Sequence, residues 1–186
     1  MSFIEVIEEQ EAEGRLKEIY DDLIASRGKL ADVHKIQSLN PESIKLHMDF
    51  YIHLLYGKSP LKRYQREMIA VVVSVANKCK YCTRHHGEAL NHYWRDKEKL
   101  EQFIANHTSV GLSDADIALC NYARDLTIAP NSIKEDNQIK ALKSNDFDDR
   151  AILDTAMIIN YFNFVSRMIL GLGVNLEEDG GKGYRF

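Results

Sequence analysis

The chain has 186 residues, which is enough for one domain of ordinary size with a buried core. Hydrophobic residues make up 45% of it and charged residues 28%, a balance typical of a soluble globular protein. A formal net charge of -4 gives no sign of the basic surface of a nucleic-acid-binding protein.

The N-terminal segment is acidic and has no long apolar stretch, so we expect no signal peptide. The longest nearly apolar run covers residues 69–76, which is too short to span a bilayer. Three cysteines do not make a disulfide framework. We therefore expect a cytoplasmic protein that does not enter a membrane.

The first half of the chain carries apolar residues at helical spacing. Asn40-Pro41-Glu42 supplies a cap, a first-turn proline and a first-turn acid, and so predicts the start of a helix. Residues 71–73 are three valines and resemble a strand, but they lie within a longer helical pattern and we interpret them as buried helix. Two apolar stripes precede them, formed by Leu16, Ile19, Tyr20 and Leu23, and by Ile44, Met48, Tyr51 and Leu55.

The second half continues the helical pattern. Residues 112–116, Leu-Ser-Asp-Ala-Asp, predict a capped helix start. The longest apolar helix is predicted from Asp146, its cap, to Leu170. The tail, residues 176–186, is glycine-rich and charged, and is either loose or packed on a partner subunit. With no linker or repeat, the pattern predicts one compact all-α domain over residues 1–186.

Two cysteines stand close together in Cys79-Lys-Tyr-Cys82, at the predicted start of a helix capped by Asn77. On that helix Cys79, Cys82 and His86 fall within an arc of about 100°. Cys82 and His86 are i,i+4 neighbours, and the i,i+3 spacing of the cysteines permits a disulfide. The spacing indicates a redox dithiol with an imidazole beside it.

A helix N-terminus favours the thiolate, which is the reactive form of cysteine. Lys78, Lys80 and Arg84 add positive charge there, and His86 is able to accept the thiol proton. A thiolate attacks the outer oxygen of a hydroperoxide and becomes a sulfenic acid, which a second thiol converts to a disulfide. The pattern is therefore suited to peroxide reduction.

Glu67 lies in the preceding predicted helix, about 40° from Val71 on the helical wheel and thus at the edge of its apolar face. A carboxylate in such a place needs a partner, because burying it alone is costly. If the two helices pack together, Glu67 is placed to orient His86 or to exchange protons with it.

The series Glu67, eleven residues, Cys79, two residues, Cys82, three residues, His86 resembles the motif of the AhpD-like alkylhydroperoxidases, within the carboxymuconolactone decarboxylase superfamily. Residues 112–116 and 160–174 are similar to the branch called peroxidase-related enzymes. The likeness covers mainly residues 40–174.

This resemblance implies an all-helical AhpD-like domain that forms homo-oligomers, either trimers or hexamers. It implies that Cys82 meets the peroxide, that Cys79 resolves it, and that Glu67 and His86 relay protons. A hydroperoxide substrate and a thiol or dithiol reductant are then the partners, with no cofactor and no metal. The best-studied members carry a second histidine just before the second cysteine, and this chain has Tyr81 there. Either the proton relay is shorter in this protein, or His85 takes the place of that histidine.

Several alternatives stay open. Cys79, Cys82 and His86 are possible zinc ligands, with Cys120 or His85 as a fourth, although no second ligand pair exists. The two cysteines also suit inert packing. A redox adaptor or oxidative-stress sensor with weak turnover is the main functional rival; a decarboxylase of the superfamily would lack the cysteine pair.

The remaining chemistry-bearing residues are interpreted as structural. Cys120 alone is expected to be a small buried hydrophobe. Three aromatic residues of the last long helix are expected in the core or a subunit interface rather than in a substrate pocket: Tyr161, Phe162 and Phe164. Five histidines are expected at the surface or in packing: His34, His47, His53, His92 and His107.

Overall fold

The computed structural model describes residues 2–177 and residue 180, and the regular structure in this part of the chain is helical throughout. The α-helices are α1 Gly14–Arg27, α2 Asp32–Lys35, α3 Pro41–Tyr56, α4 Arg63–Ala76, α5 Lys80–Trp94, α6 Lys97–Ala105, α7 Asp114–Ile128, α8 Lys140–Lys143 and α9 Asp149–Gly171. Short 3-10 turns lie at Glu9–Glu11, His107–Ser109 and Pro130–Ser132, and a π turn at Glu135–Ile139. The all-α prediction is confirmed.

Helix α4 lies at the centre of the fold and packs against α5, α7 and α9. Ten consecutive residues, 65–74, are buried, so this helix is covered on all sides. The valines at 71–73 belong to it, as predicted. Each fully buried aliphatic side chain stabilises the fold by roughly 1.5–3 kcal/mol, which overrides the β preference of three consecutive valines.

The buried Arg66 of α4 ties the end of α3 to the start of α4. Its Nη1 donates to the carbonyl oxygens of Leu54, Leu55 and Gly57 at 2.9–3.2 Å, and its Nε and Nη2 donate to Leu61. A buried guanidinium is acceptable here because backbone acceptors satisfy its donors. This clamp fixes the N-terminal half of α4, from which Glu67 projects.

Two predicted helix starts are confirmed and one is wrong. Helix α3 begins at Pro41, and Ser113 caps α7 by accepting from the backbone N–H of Asp116. Helix α9, however, is capped by Asp148, whose carboxylate accepts from Ala151 N–H at 2.7 Å. Asp146 has a φ of 63° and belongs instead to the left-handed turn that follows α8.

The predicted cap of the dithiol helix is also wrong. Asn77 is the C-cap of α4, and Lys78, at a φ of 58°, turns the chain. The N–H of Lys78 donates to Val75 and that of Cys79 to Ser74, both at 2.9 Å, which is the hydrogen-bond pattern of a Schellman motif. Cys79 therefore ends one helix and caps the next.

Helix α1 packs on α3 through a second apolar cluster, against which Tyr51 is partly buried. This cluster contains the whole predicted stripe of α1 and most of that of α3, whose last member, Leu55, lies in the main core. Among residues 2–177 and 180, no helix has the length and apolar character needed to cross a membrane. In the tail, Glu177 hydrogen-bonds within its own chain. Most of the tail, residues 178–179 and 181–186, lies outside the described residues.

Candidate active site

The two cysteines of the motif are joined by a disulfide, with their Cα atoms 5.4 Å apart. Cys79 is fully buried and Cys82 is 3% exposed. The sulfur of Cys79 accepts from the backbone N–H of Cys82 at 3.3 Å, so it takes the place that a side-chain oxygen usually fills at a helix cap. Cys82 consequently lies in the first turn of α5, where unpaired N–H groups and the helix dipole favour a thiolate.

Glu67 and His86 are brought together by the packing of α4 on α5. Glu67 Oε2 lies 3.0 Å from His86 Nδ1, and Arg63 Nη2 binds the other carboxylate oxygen at 3.2 Å. Glu67 is fully buried, so this double pairing is what makes its charge acceptable there. Because the carboxylate accepts from Nδ1–H, the lone pair of His86 lies on Nε2.

Tyr81, at the position of the missing histidine, takes part in a second polar cluster. Its hydroxyl donates to Glu177 Oε1 at 2.8 Å, and its ring stacks on His85 with centroids 4.3 Å apart. His85 Nε2 lies 2.8 Å from Glu177 Oε2. Burial alone would raise the pKa of Glu177, but the hydrogen bond and charge of His85 outweigh it and lower that pKa to about 2.

A cavity of about 90 Å³ lies beside Cys82, large enough for a small organic group rather than a single water. Cys82 lines it; Cys79 is not among the residues of its wall in the described part of the chain. The wall is formed by Arg27, Ala31, Val33, His34, His47, Met48, Tyr51, Tyr81, Cys82, His85, His86, Ala89, Tyr161, Phe162 and Val165.

Several residues interpreted as structural therefore lie at the site. His34 and His47 are buried in the cavity wall, and neither is a surface residue. Tyr161 and Phe162 also line the cavity, where Phe162 meets the His86 ring edge-on at 4.4 Å. Packing and pocket lining coincide at these residues, because the cavity lies within the helix interface.

A chain of hydrogen bonds fixes His47. Gln37 Nε2 donates to the carbonyl oxygen of Val33 at 2.8 Å and lies 2.8 Å from His47 Nδ1. His47 Nε2 lies 2.6 Å from the hydroxyl of Tyr161. Burial lowers the pKa of His47 to about 4 and that of His34 to about 3, so both imidazoles are neutral near pH 7.

The zinc alternative has no ligand set in the described residues, where no three His, Cys, Asp or Glu side chains come together as metal ligands do. Cys120 is a buried free thiol on α7, as predicted, and burial raises its pKa well above the usual value. A protonated, enclosed thiol of this kind is not reactive.

Arg27, His34, His47 and Tyr161 are the site residues that the sequence did not single out. They come from α1, α2, α3 and α9, so no local spacing connects them. The only signal in the sequence was that these polar residues lie close to apolar helical stripes. Which of them line a pocket depends on how the helices pack together.

Comparison with known proteins agrees with this arrangement. Residues 41–125 match the model of the carboxymuconolactone decarboxylase family. No curated protein matches the chain. An uncharacterized peroxidase-related protein from Silicibacter sp. TM1040 is 28% identical, with a TM-score of 0.83 over 91% of this chain and 88% of that one.

Two further solved structures share the fold. One is described as an alkylhydroperoxidase AhpD core, an uncharacterized peroxidase-related protein from Ralstonia eutropha JMP134, with 22% identity, a TM-score of 0.86, and coverage of 97% of this chain and 94% of that one. The other is a cysteine-to-alanine variant of the debrominase Bmp8 in complex with 2,3,4-tribromopyrrole, with 16% identity, a TM-score of 0.78, and coverage of 96% and 95%.

The family match covers the helices that carry the dithiol, Glu67 and His86, and the structural likeness extends over nearly the whole chain. Over residues 41–125 the chain matches the carboxymuconolactone decarboxylase family, and over nearly its whole length it has the fold of the AhpD-like, peroxidase-related proteins.

Proposed function

We propose that this protein reduces organic hydroperoxides with Cys82 as the attacking thiol and Cys79 as the resolving thiol. One observation carries the proposal: the member of the disulfide that lines a cavity is Cys82, and that cavity is also lined by the imidazole that a buried carboxylate orients. Nucleophile, base and orienting group are thus the three parts that an activated thiol needs.

The cycle starts from the reduced dithiol. His86 Nε2 accepts the proton of Cys82, and the thiolate attacks the outer oxygen of the hydroperoxide. The O–O bond breaks, the alcohol leaves with a proton, and Cys82 becomes a sulfenic acid. The thiol of Cys79 then attacks that sulfur, water leaves, and the disulfide seen in the structure forms.

An external thiol or dithiol reductant reopens the disulfide and supplies the two electrons that the peroxide consumed. The cytoplasm, expected from the sequence, is a compartment that provides such reductants. We assign the proton relay to His86 and Glu67, because His86 follows Cys82 by one turn of α5 and Glu67 orients its ring.

The adaptor alternative requires a partner protein to reach the dithiol. The burial of both sulfur-bearing residues favours small reactants that enter the cavity over exchange with a protein surface. The debrominase that shares the fold makes a halogenated pyrrole a rival substrate worth including in a test.

The test measures consumption of cumene hydroperoxide in the presence of dithiothreitol. We expect steady turnover for the wild type and for Cys120→Ser, loss of consumption for Cys82→Ser, and slower turnover for Cys79→Ser, in which dithiothreitol itself must reduce the sulfenic acid. Equal activity of Cys82→Ser and wild type would overturn the proposal. Turnover of tribromopyrrole with no turnover of the peroxide would replace it with dehalogenation.

We further propose that the protein forms a homo-oligomer, a trimer or a hexamer. Leu46, Phe50 and Phe164 are partly or largely exposed and together line a groove between α3 and α9. A contiguous exposed apolar surface of this kind is typical of a subunit interface.

A further inference from the structure

We propose that the cavity beside Cys82 takes a substrate that carries a carboxylate, with Arg27 as its anchor and Tyr161 as a hydrogen-bond donor to it. This inference rests on the proposed function, because it identifies the class of hydroperoxide that reaches Cys82. It also makes claims about binding that are testable without turnover.

Arg27 is the last residue of α1 and is half-buried at the cavity wall. Its guanidinium lies over the rings of Tyr51 and Tyr56, 5.4 and 5.5 Å from their centroids, and donates to the hydroxyl of Tyr56 at 3.3 Å. Within residues 2–177 and 180, no carboxylate is in ion-pair contact with it. Most of its five N–H donors thus remain for a ligand, and this fork matches a carboxylate.

The other charged groups near the cavity have counter-ions already. Glu67 is bound by Arg63 and His86, and Glu177 by His85. The two remaining imidazoles, those of His34 and His47, are neutral. Arg27 is consequently the cation of this cavity wall that lacks an anion among the described residues.

Tyr161 has a hydroxyl proton to donate. The amide nitrogen of Gln37 donates one hydrogen to the Val33 carbonyl oxygen and the other to His47 Nδ1. Because Nδ1 accepts a hydrogen bond, the proton of the neutral His47 ring lies on Nε2. His47 therefore donates to the oxygen of Tyr161. In the part of the chain that the structure describes, no acceptor receives the proton of Tyr161, which faces the cavity.

His34 adds an unsatisfied polar atom to the same wall, because its Nδ1 is buried without a hydrogen-bond partner in the described residues. The remaining lining is apolar and includes Met48, Phe162 and Val165. The cavity of about 90 Å³ has one cation and an otherwise largely apolar surface, and this combination suits a compact organic acid rather than a long fatty acid or hydrogen peroxide.

The first test measures binding of benzoate and of its neutral counterpart benzamide to the oxidised protein by calorimetry. We expect benzoate to bind at least about tenfold more tightly, and Arg27→Gln to abolish this preference. Lys17→Gln is the matched control, because it removes a positive charge from the exposed face of the same helix. Tyr161→Phe should weaken benzoate binding severalfold.

Equal binding of benzoate and benzamide by the wild type would overturn the inference, and this comparison requires no variant. Arg27→Lys retains the charge and should keep part of the preference. If Arg27→Lys behaves like Arg27→Gln while both fold normally by circular dichroism, the guanidinium fork rather than charge alone is confirmed as the anchor; a preference kept by Arg27→Gln contradicts it.

The second test compares para-carboxy cumene hydroperoxide with its methyl ester, using dithiothreitol as reductant. We expect a lower KM for the acid than for the ester in the wild type, and in Arg27→Gln a KM that rises more for the acid than for the ester, so that the difference between the two peroxides disappears. Turnover of both peroxides with equal KM would reject the acid site and leave the proposed function standing. Selective benzoate binding without turnover of either peroxide would support the acid site and reject the proposed function.

Discussion

Glu67 is the residue whose contribution is easiest to separate from that of the sulfurs. Its carboxylate holds the His86 ring so that Nε2 carries the lone pair. Glu67→Gln keeps the shape but removes the charge that favours a protonated imidazole beside the thiolate. We expect the pKa of the reduced Cys82 thiol to rise and peroxide reduction to slow by roughly 10- to 100-fold.

The thiol pKa is measured from the pH dependence of alkylation by iodoacetamide. Glu88→Gln is the control, since Glu88 is also a glutamate but pairs with Arg84, a residue that does not line the cavity. An unchanged thiol pKa in Glu67→Gln, with normal thermal unfolding, would remove Glu67 from the relay.

His34 and His47 make stability depend on pH. Their pKa values in the folded protein, about 3 and about 4, lie below the ordinary value near 6.5. Below pH 6.5 these two histidines are therefore protonated in the unfolded chain but remain neutral in the folded protein. Each histidine should lower the free energy of unfolding by up to about 1.4 kcal/mol per pH unit as the pH falls from 6.5 towards its folded pKa.

Proton NMR of the imidazole groups checks this directly. We expect the rings of His34 and His47 to show no titration between about pH 7 and pH 5 while the protein stays folded. If both rings titrate near pH 6.5, they are not held neutral in the cavity wall.

The sequence predicts the local part of the site well. Cys82 and His86 are four residues apart, so helical spacing alone places them on one side of α5, and Glu67 follows from the motif. Cys79 caps that helix, whereas the predicted start at Asn77 required it to lie within the helix. The places of Arg27 and His47 in the site could not be predicted. Their positions depend on how α1 and α3 pack over the cavity, which a periodic pattern does not specify.

At the scale of single elements, the junction of α4 and α5 positions the dithiol. Lys78 adopts the left-handed conformation that glycine usually occupies in a Schellman motif. We expect Lys78→Gly to raise the free energy of unfolding by about 0.5–1 kcal/mol, because it relieves the strain of a β-carbon at positive φ.

Urea unfolding at equilibrium measures the change. Lys80→Gly is the matched control: Lys80 is the first residue of α5, has no such strain, and should lose stability on the same substitution. Destabilisation by Lys78→Gly of the same size as by Lys80→Gly would show that the turn is not strained.

Helix ends were the less predictable part of the fold. The predicted cap at Asn77 and that at Asp146 were each two residues early, because in both places a residue at positive φ lengthens the turn before the helix. A residue at positive φ cannot be recognised from the sequence when lysine or aspartate occupies a position where glycine is usual. The helices themselves follow from apolar periodicity, which depends on burial summed over many residues.

At the scale of the whole molecule, the exposed groove between α3 and α9 is the surface on which assembly depends. Phe164 is 52% exposed there. We expect Phe164→Glu to shift the mass measured by light scattering from an oligomer towards a monomer, because a buried carboxylate without a partner is costly. Ile128→Glu, at an exposed apolar residue outside this groove, should not.

A wild-type mass equal to that of one chain would reject the oligomer itself. A mass unchanged by Phe164→Glu would place the interface elsewhere.

The proposed function requires the two neighbouring sulfurs to supply electrons to a peroxide. The most direct measurement adds one equivalent of cumene hydroperoxide to the fully reduced protein and follows free thiols and alcohol together. We expect one equivalent of alcohol, loss of two thiols, and a peptide map that joins Cys79 to Cys82 while Cys120 stays free. Alcohol formed with all three thiols intact, or peroxide that remains unconsumed, would contradict it.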